Sequence, residues 1–326
     1  MLTLAELEAA EALVRQSLPP TPAIAWPLLA RRLGTEVIVK HENHNPTGAF
    51  KVRGGLTYID QLKRRAPQTR AIVSATRGNH GQSLAFAATR AGIEPIVFAP
   101  VGNSVEKNAA MRAFGARLVE HGSDFQAARE EAARYAAAEG LEMVPSFHRD
   151  LVRGVATYSL ELFRAHADLD VLYVPIGLGS GISGAIAARD ALGLNTEIVG
   201  VGAEGAPAYA LSFAAGRPIA TNTVDTHADG VATRVTDPAA LEIILRGVSR
   251  VITVSDEEIG DAVRAYWTDT HNLSEGAGAV PLAAALKEKA QLAGKKVGLV
   301  LTGGNIDFDL FQTWIARRDP QRENIP

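Results

Sequence analysis

The chain has 326 residues, and 33 Lys+Arg against 36 Asp+Glu leave a formal net charge of −3, without the basic footprint of a nucleic-acid or anionic-membrane binder. Hydrophobic residues make up 47% and charged residues 21%, which is too apolar for a disordered chain and ordinary for a globular one of about two domains. There is no cysteine, so disulfides, thiolate metal sites and a cysteine nucleophile are excluded.

In chain order, MLTLAELEAAEALVRQSL (1–18) alternates acidic and apolar residues at helical spacing and lacks the basic start and unbroken apolar stretch of a signal peptide. It reads as a surface helix. No run of about 18 apolar residues occurs, so a membrane span is not expected and a cytoplasmic protein is. The segment HENHNPTGAFKVRGG (41–55) is a polar loop leading into a helix near Lys51. From residue 71 short apolar runs alternate with amphipathic stretches: AIVSA and a helix from about His80, PIVFA and a helix from about Ser104, ARLVEH and a helix from Ser123. VLYVPI (171–176), EIVGVGAE (197–204), RVITVS (250–255) and KVGLVLT (296–302) continue the pattern. This is the βαβ rhythm of parallel sheets, and two α/β sheets are expected rather than one very wide one. The polar stretch 63–69 and the turn-rich stretch 145–150 are the candidate boundaries.

Four motifs carry candidate chemistry. GLGSGISG (177–184) follows an apolar strand and opens an Ala-rich helix, so its N–H groups and the helix dipole suit a phosphate. The Gly179-x-Gly181-x-x-Gly184 spacing, with Glu204 further on, also fits a dinucleotide fingerprint, and plain tight packing is a third reading. In the 41–55 loop Lys51 is a surface charge or a nucleophilic amine held by Thr47, Gly48 and an aromatic neighbour. His41 and His44 lack the spacing of a zinc helix and read with Glu42 as solvated loop residues. SATRGNHGQSLAFAA (74–88) offers N–H groups at a helix start for a carboxylate and the Asn79 amide for a ring oxygen; the plain alternative is Asn79 or Thr76 as helix cap. LTGGNID (301–307) is a strand leading through a Gly-Gly turn.

Taken together in this order, with HADGVA (227–232) and SEGAGAV (274–280), these motifs resemble the fold-type II pyridoxal-phosphate enzymes of the serine/threonine dehydratase (ammonia-lyase) and serine racemase family, over nearly the whole chain. The resemblance implies two open, twisted, mostly parallel α/β sheet domains with pyridoxal 5'-phosphate in the cleft between them: residues 1–66 plus 149–326 forming the large domain and 67–148 the small one. It implies that Lys51 forms the Schiff base and acts as base at Cα, that Phe50 packs on the cofactor ring, and that Asn79 bonds its phenolic oxygen. Gly177, Leu178, Gly179, Ser180 and Gly181 would bind the phosphate, Thr302 the pyridine nitrogen, and Thr76, Arg77, Gly78, Asn79 and His80 the substrate. A hydroxyl at position 302 cannot keep that nitrogen protonated as a carboxylate would, which favours elimination over transamination.

The implied reaction converts a 2-amino-3-hydroxy acid to a 2-oxo acid and ammonia, with serine or threonine as default substrate and a homodimer as the assembly. Amino-acid racemisation and nicotinamide-dependent oxidoreduction are the alternatives. Arg77 stands where a racemase has its second catalytic serine, so racemisation is disfavoured; it pairs with a substrate carboxylate or faces solvent. Ala49, Arg153 and Val155 also depart from the dehydratase pattern and suit an acidic or bulky β-substituent, as in 3-hydroxyaspartate or phenylserine. Ala210 stands where the family's divalent-metal site has an acid, so no metal is expected, and the 21 residues after Asn305 are too few for a regulatory domain.

Overall fold

The computed structural model describes residues 2–316. Thr3 caps α1 (Leu4–Arg15): its hydroxyl accepts from the Glu6 N–H while the Glu6 carboxylate accepts from the Thr3 N–H. β1 (Ala23–Ala25), α2 (Pro27–Leu33) and β2 (Glu36–His41) follow, and then α3 (Lys51–Arg65), whose first residue is the lysine of the 41–55 motif. β3 (Ala71–Ala75), α4 (Asn79–Arg90), β4 (Glu94–Ala99), α5 (Val105–Ala113), β5 (Arg117–Glu120), α6 (Phe125–Glu139) and β6 (Glu142–Met143) make a first α/β run. The second comprises α7 (Arg149–Ala165), β7 (Val171–Pro175), α8 (Ser180–Ala191), β8 (Glu197–Ala203), α9 (Ala208–Ala215), α10 (Pro238–Gly247), β9 (Arg250–Val254), α11 (Asp256–Thr270), α12 (Gly276–Lys287), β10 (Lys296–Leu301) and α13 (Phe308–Ile315).

The strands assemble into a six-stranded sheet, order β1-β2-β10-β7-β8-β9, and a four-stranded sheet, order β5-β4-β3-β6. All pairings are parallel except β1 on β2. β7 and β10 are buried on both faces, as continuous apolar strands between two helical layers must be. One core lies on each face of the large sheet, with separate clusters around the small one.

Several expectations are corrected. β1, β2 and β6 precede or interrupt the strand rhythm read from residue 71 onward; β2 is a buried sheet strand although its Lys40 and His41 break its apolar run. His41 and Glu42 are not solvated: both are 0% exposed, because Glu42 receives hydrogen bonds from Thr21, Asn45 and Arg53, while His44 is exposed as expected. Neither Thr76 nor Asn79 caps α4. Gly78 occupies the cap position with no side-chain bond, and the Asn79 amide is used in tertiary contacts. The helix expected from Ser123 starts at Phe125, with Asp124 accepting from Ala127 N–H.

Candidate active site

Three adjacent parallel strands, β2, β10 and β7, end side by side, and each delivers one sequence motif. The chain leaves β7 for β8 on one side and returns as β10 on the other, so connections diverge there and leave a crevice at the carboxyl ends, the usual ligand position in such sheets. The loop after β2 is stitched to the turn after β10: Phe50 N–H donates to the Thr302 carbonyl (2.9 Å), Gly304 N–H to the Gly48 carbonyl (2.9 Å), and Ala49 bridges Gly303. Lys51 therefore starts α3 at a fixed place, and Ser83 Oγ donates to its carbonyl at 2.7 Å. Its ammonium lies 5.3 Å from the Phe50 ring centroid. Burial brings the amine down to about 8, against a smaller opposing pull from Glu275. An amine so placed is unprotonated in a useful fraction near neutral pH, as a nucleophile or base must be.

The glycine loop joins β7 to α8. Gly179 caps α8 at φ +98°, a conformation that favours glycine, and a Cβ there would fall 2.7 Å from that of Ala240; at Gly177 it would fall 2.2 Å from the Gly230 carbonyl. Packing thus explains two of these glycines. Gly181 differs: its missing Cβ points to the Tyr158 hydroxyl and the Phe50 ring, on the Lys51 side. Tyr209 holds the Leu178 carbonyl (3.0 Å) and Tyr158 the Gly181 carbonyl (3.2 Å). Ser180, 3% exposed, begins the 12-residue α8, whose N-terminus favours an anion. Thr302 is buried in the turn after β10.

The small sheet contributes Asn79 across the cleft. Its Nδ2 donates to Glu275 Oε1 (2.7 Å), and its Oδ1 accepts from Asn305 Nδ2 (2.8 Å), which also donates to the Thr47 carbonyl (2.8 Å). The amide is thereby fixed in orientation. Thr76 Oγ1 accepts from the Gly78 N–H at 3.1 Å, and His80 is 6% exposed with its Nε2 unpartnered. Burial, with the nearby Lys51 charge, lowers His80 to about 3, so its imidazole is neutral. Arg77 is exposed and lies 3.6 Å from Asp229, which Lys107 approaches to 2.9 Å. Arg153 is half-buried on α7 with its Nε unpartnered.

Sequence reasoning did not single out Glu275, Asn305, Lys107 or Asp229. Glu275 and Asn305 lie inside quoted motifs, yet a carboxylate beside glycines carries no local mark of burial. Desolvation raises Glu275 to about 7, opposed by Lys107 and the Asn79 amide. The set is a reactive amine, a helix N-terminus for an anion, a fixed amide and a buried hydroxyl around one crevice, and these residues fit pyridoxal phosphate.

The family model described as "Pyridoxal-phosphate dependent enzyme" matches residues 14–303. The chain belongs to the pyridoxal-phosphate-dependent enzymes. This pyridoxal-phosphate enzyme is 32% identical to the L-threonine ammonia-lyase of Thermotoga maritima over 97% of its own length and 79% of that protein's. It is 30% identical to the L-threo-3-hydroxyaspartate ammonia-lyase of Saccharomyces cerevisiae, covering 94% of each chain. Among solved structures, a threonine deaminase superimposes with a TM-score of 0.88 at 31% identity, over 94% of this chain and 99% of that one. In the enzyme Glu204, the acid of the dinucleotide reading, is exposed and accepts from Lys287 at 3.2 Å.

Proposed function

We propose that the enzyme is a hydroxy-amino-acid ammonia-lyase, converting a 2-amino-3-hydroxy acid to a 2-oxo acid and ammonia, with serine or threonine as default substrate and phenylserine or 3-hydroxyaspartate as candidates. The observation that carries the reading is the desolvated Lys51 amine at the ends of β2, β10 and β7. Names of relatives that cover most of the chain support the same reaction. In this reading the Lys51 amine is the covalent anchor, and after substrate displaces it the same amine takes the Cα proton. Bound pyridoxal phosphate supplies the electron sink for that bond. Gly177, Leu178, Gly179, Ser180 and Gly181 hold its phosphate, Asn79 its phenolic oxygen and Thr302 its ring nitrogen, while Phe50 flanks the ring. Thr76, Gly78, Asn79 and His80 face the substrate carboxylate, and Arg77 stands at the rim. The β-hydroxyl would leave as water with a proton supplied through the cofactor phosphate; the enamine released takes up water and yields the 2-oxo acid and ammonia.

The reading includes a division into residues 1–66 plus 149–326 and 67–148, which the two sheets support, and a cytoplasmic homodimer in amino-acid breakdown. The test is ammonia release by cofactor-loaded protein across 3-hydroxy amino acids of both configurations. Borohydride trapping should locate the cofactor on Lys51, and Lys51→Ala should bind cofactor but lose turnover. Ammonia release by Lys51→Ala at the unsubstituted rate, or none from any substrate by the loaded protein, rejects the reading. Racemisation without ammonia would install the second reading, which the racemase-named relative keeps in view.

A further inference from the structure

Arg53, two residues after Lys51, is 0% exposed and donates through every guanidinium nitrogen. Its Nε reaches Glu42 Oε2 (2.8 Å), one terminal nitrogen reaches Thr157 Oγ1 (3.0 Å) and Glu161 Oε1 (2.8 Å), and the other reaches Thr21 Oγ1 (3.2 Å), Glu42 Oε1 (3.0 Å) and Glu161 Oε2 (3.0 Å). Lys40 on β2, itself 1% exposed, closes the cage with a 2.6 Å bond to Glu161 Oε2. The cage therefore ties α3 to the sheet through Glu42 and Lys40 and to α7 through Thr157 and Glu161.

Next to Arg53 the contacts of α3 with α7 and α4 are made by glycines, while Tyr58, Ile59 and Leu62 anchor its later turns in an apolar cluster. A Cβ at Gly54 would fall 2.8 Å from the Leu151 carbonyl, one at Gly154 would fall 2.2 Å from the Arg53 carbonyl, and one at Gly55 would fall 2.4 Å from Ser83 Oγ. Glycine contacts set how near two helices lie but present few side-chain knobs to oppose rotation about the axis. At about 100° per residue, positions 51 and 53 project about 200° apart. Pinning Arg53 on the far side therefore aims Lys51 at the cleft.

We propose that Arg53 is a positioning residue: its buried carboxylate cage fixes the rotation of α3 and thereby the aim of the Lys51 amine. The proposal rests on the reading of Lys51 as covalent anchor. The test follows covalent capture of added pyridoxal phosphate by cofactor-stripped protein, from the rise of the imine absorbance, together with kcat, KM and Tm. Arg53→Lys keeps the charge but not the planar set of donors, and Thr157→Val removes one acceptor at nearly constant volume. Val52→Ala, buried on the same helix away from the cage, is the stability control.

Capture should slow at least about 10-fold in Arg53→Lys and about 3-fold in Thr157→Val, with kcat falling in proportion and KM within about 3-fold. Val52→Ala should lower Tm at an unchanged capture rate. If Arg53→Lys does not fold, Thr157→Val decides: capture at the unsubstituted rate overturns the proposal. Equal slowing in Val52→Ala at equal loss of Tm overturns it too. Absence of cofactor on Lys51 in the unsubstituted protein instead rejects the functional reading, so the two failures are distinguishable.

Discussion

Arg77 stands at the cleft mouth with 49% of its side chain exposed and a single carboxylate, Asp229, at 3.6 Å. A pair that exposed contributes at most about 1 kcal/mol, so the guanidinium is free to turn toward a second anion. Arg77→Ala should leave kcat/KM for serine and threonine within about 2-fold, because in the proposed reading the α-carboxylate faces the N–H groups of the 76–80 loop, and lower it about 10-fold for 3-hydroxyaspartate. An equal loss for all substrates would place Arg77 on the α-carboxylate instead. Glu275 makes a pH prediction. Its carboxyl sits near 7 in the folded chain against 4.5 in a free one, so between these values the folded state binds more protons and stability falls as pH rises. Glu275→Gln keeps an acceptor for Asn79 and removes this loss. In cofactor-stripped protein its unfolding free energy, minus that of the unsubstituted chain, should grow from pH 4.5 to 7 and then level, reaching about 3 kcal/mol at most. A difference independent of pH would show that Glu275 is not held protonated.

Element ends, more than element interiors, build the site. α8 begins at Ser180 behind a glycine in the left-handed region, and α3 begins at Lys51 with no capping side chain. Replacing Gly179 by Val strains φ and drives a side chain into Ala240, so it should lower Tm as well as cofactor affinity and cannot isolate the phosphate contact. Ser180→Ala does isolate it: removal of one hydroxyl from the first turn should weaken cofactor binding by about 10- to 100-fold, the order of one hydrogen bond to a charged group, with the Tm of cofactor-stripped protein changed by less than about 2 °C. Unchanged affinity, measured by equilibrium absorbance titration, would return the loop to a packing role alone.

At the scale of the whole molecule, an apolar cluster of Tyr58, Ile59, Leu62, Ile72, Leu84 and Leu151 joins α3 and α7 to the small sheet, and polar contacts bridge the cleft. Lys107 and Arg77 converge on Asp229, Asn79 reaches Glu275 and Asn305, Ser104 donates to Asp307, and Phe308 N–H donates to Glu106. Of these, the pairs at Asp229 are the more exposed, with Arg77 49% and Asp229 38% exposed, and exposed pairs are weak and salt-screened. Asp229→Asn should therefore raise the cofactor dissociation rate about 3- to 10-fold and flatten its dependence on ionic strength, while Tm moves by less than about 2 °C. A dissociation rate that stays at the unsubstituted value across 0.05 to 0.5 M salt, read against roughly a Debye length of screening, would remove Asp229 from closure.

What the sequence determined by itself is local. The apolar runs at 71–75, 171–175 and 296–301, each followed by glycine or polar residues, mark strand ends, and strand ends are where an α/β fold places its chemistry; Asn79 and the 177–181 loop stood out for that reason, and Lys51 and Thr302 only through the family resemblance of the motifs around them. β2 was not, because Lys40 and His41 look like surface residues until Glu161, Trp26 and the sheet pair them. The same holds for Glu42 and Arg53: a charge is buried only when its partner arrives from elsewhere in the chain, here from residues up to 108 positions away. Tertiary structure alone decided that Asn79 is oriented by Asn305 and Glu275 rather than capping α4, that Gly177 and Gly179 are required for packing, and that Arg77 faces Asp229. Local pattern specifies the backbone period and the turn chemistry; desolvation and long-range pairing depend on which distant segments meet, and no residue carries that information alone.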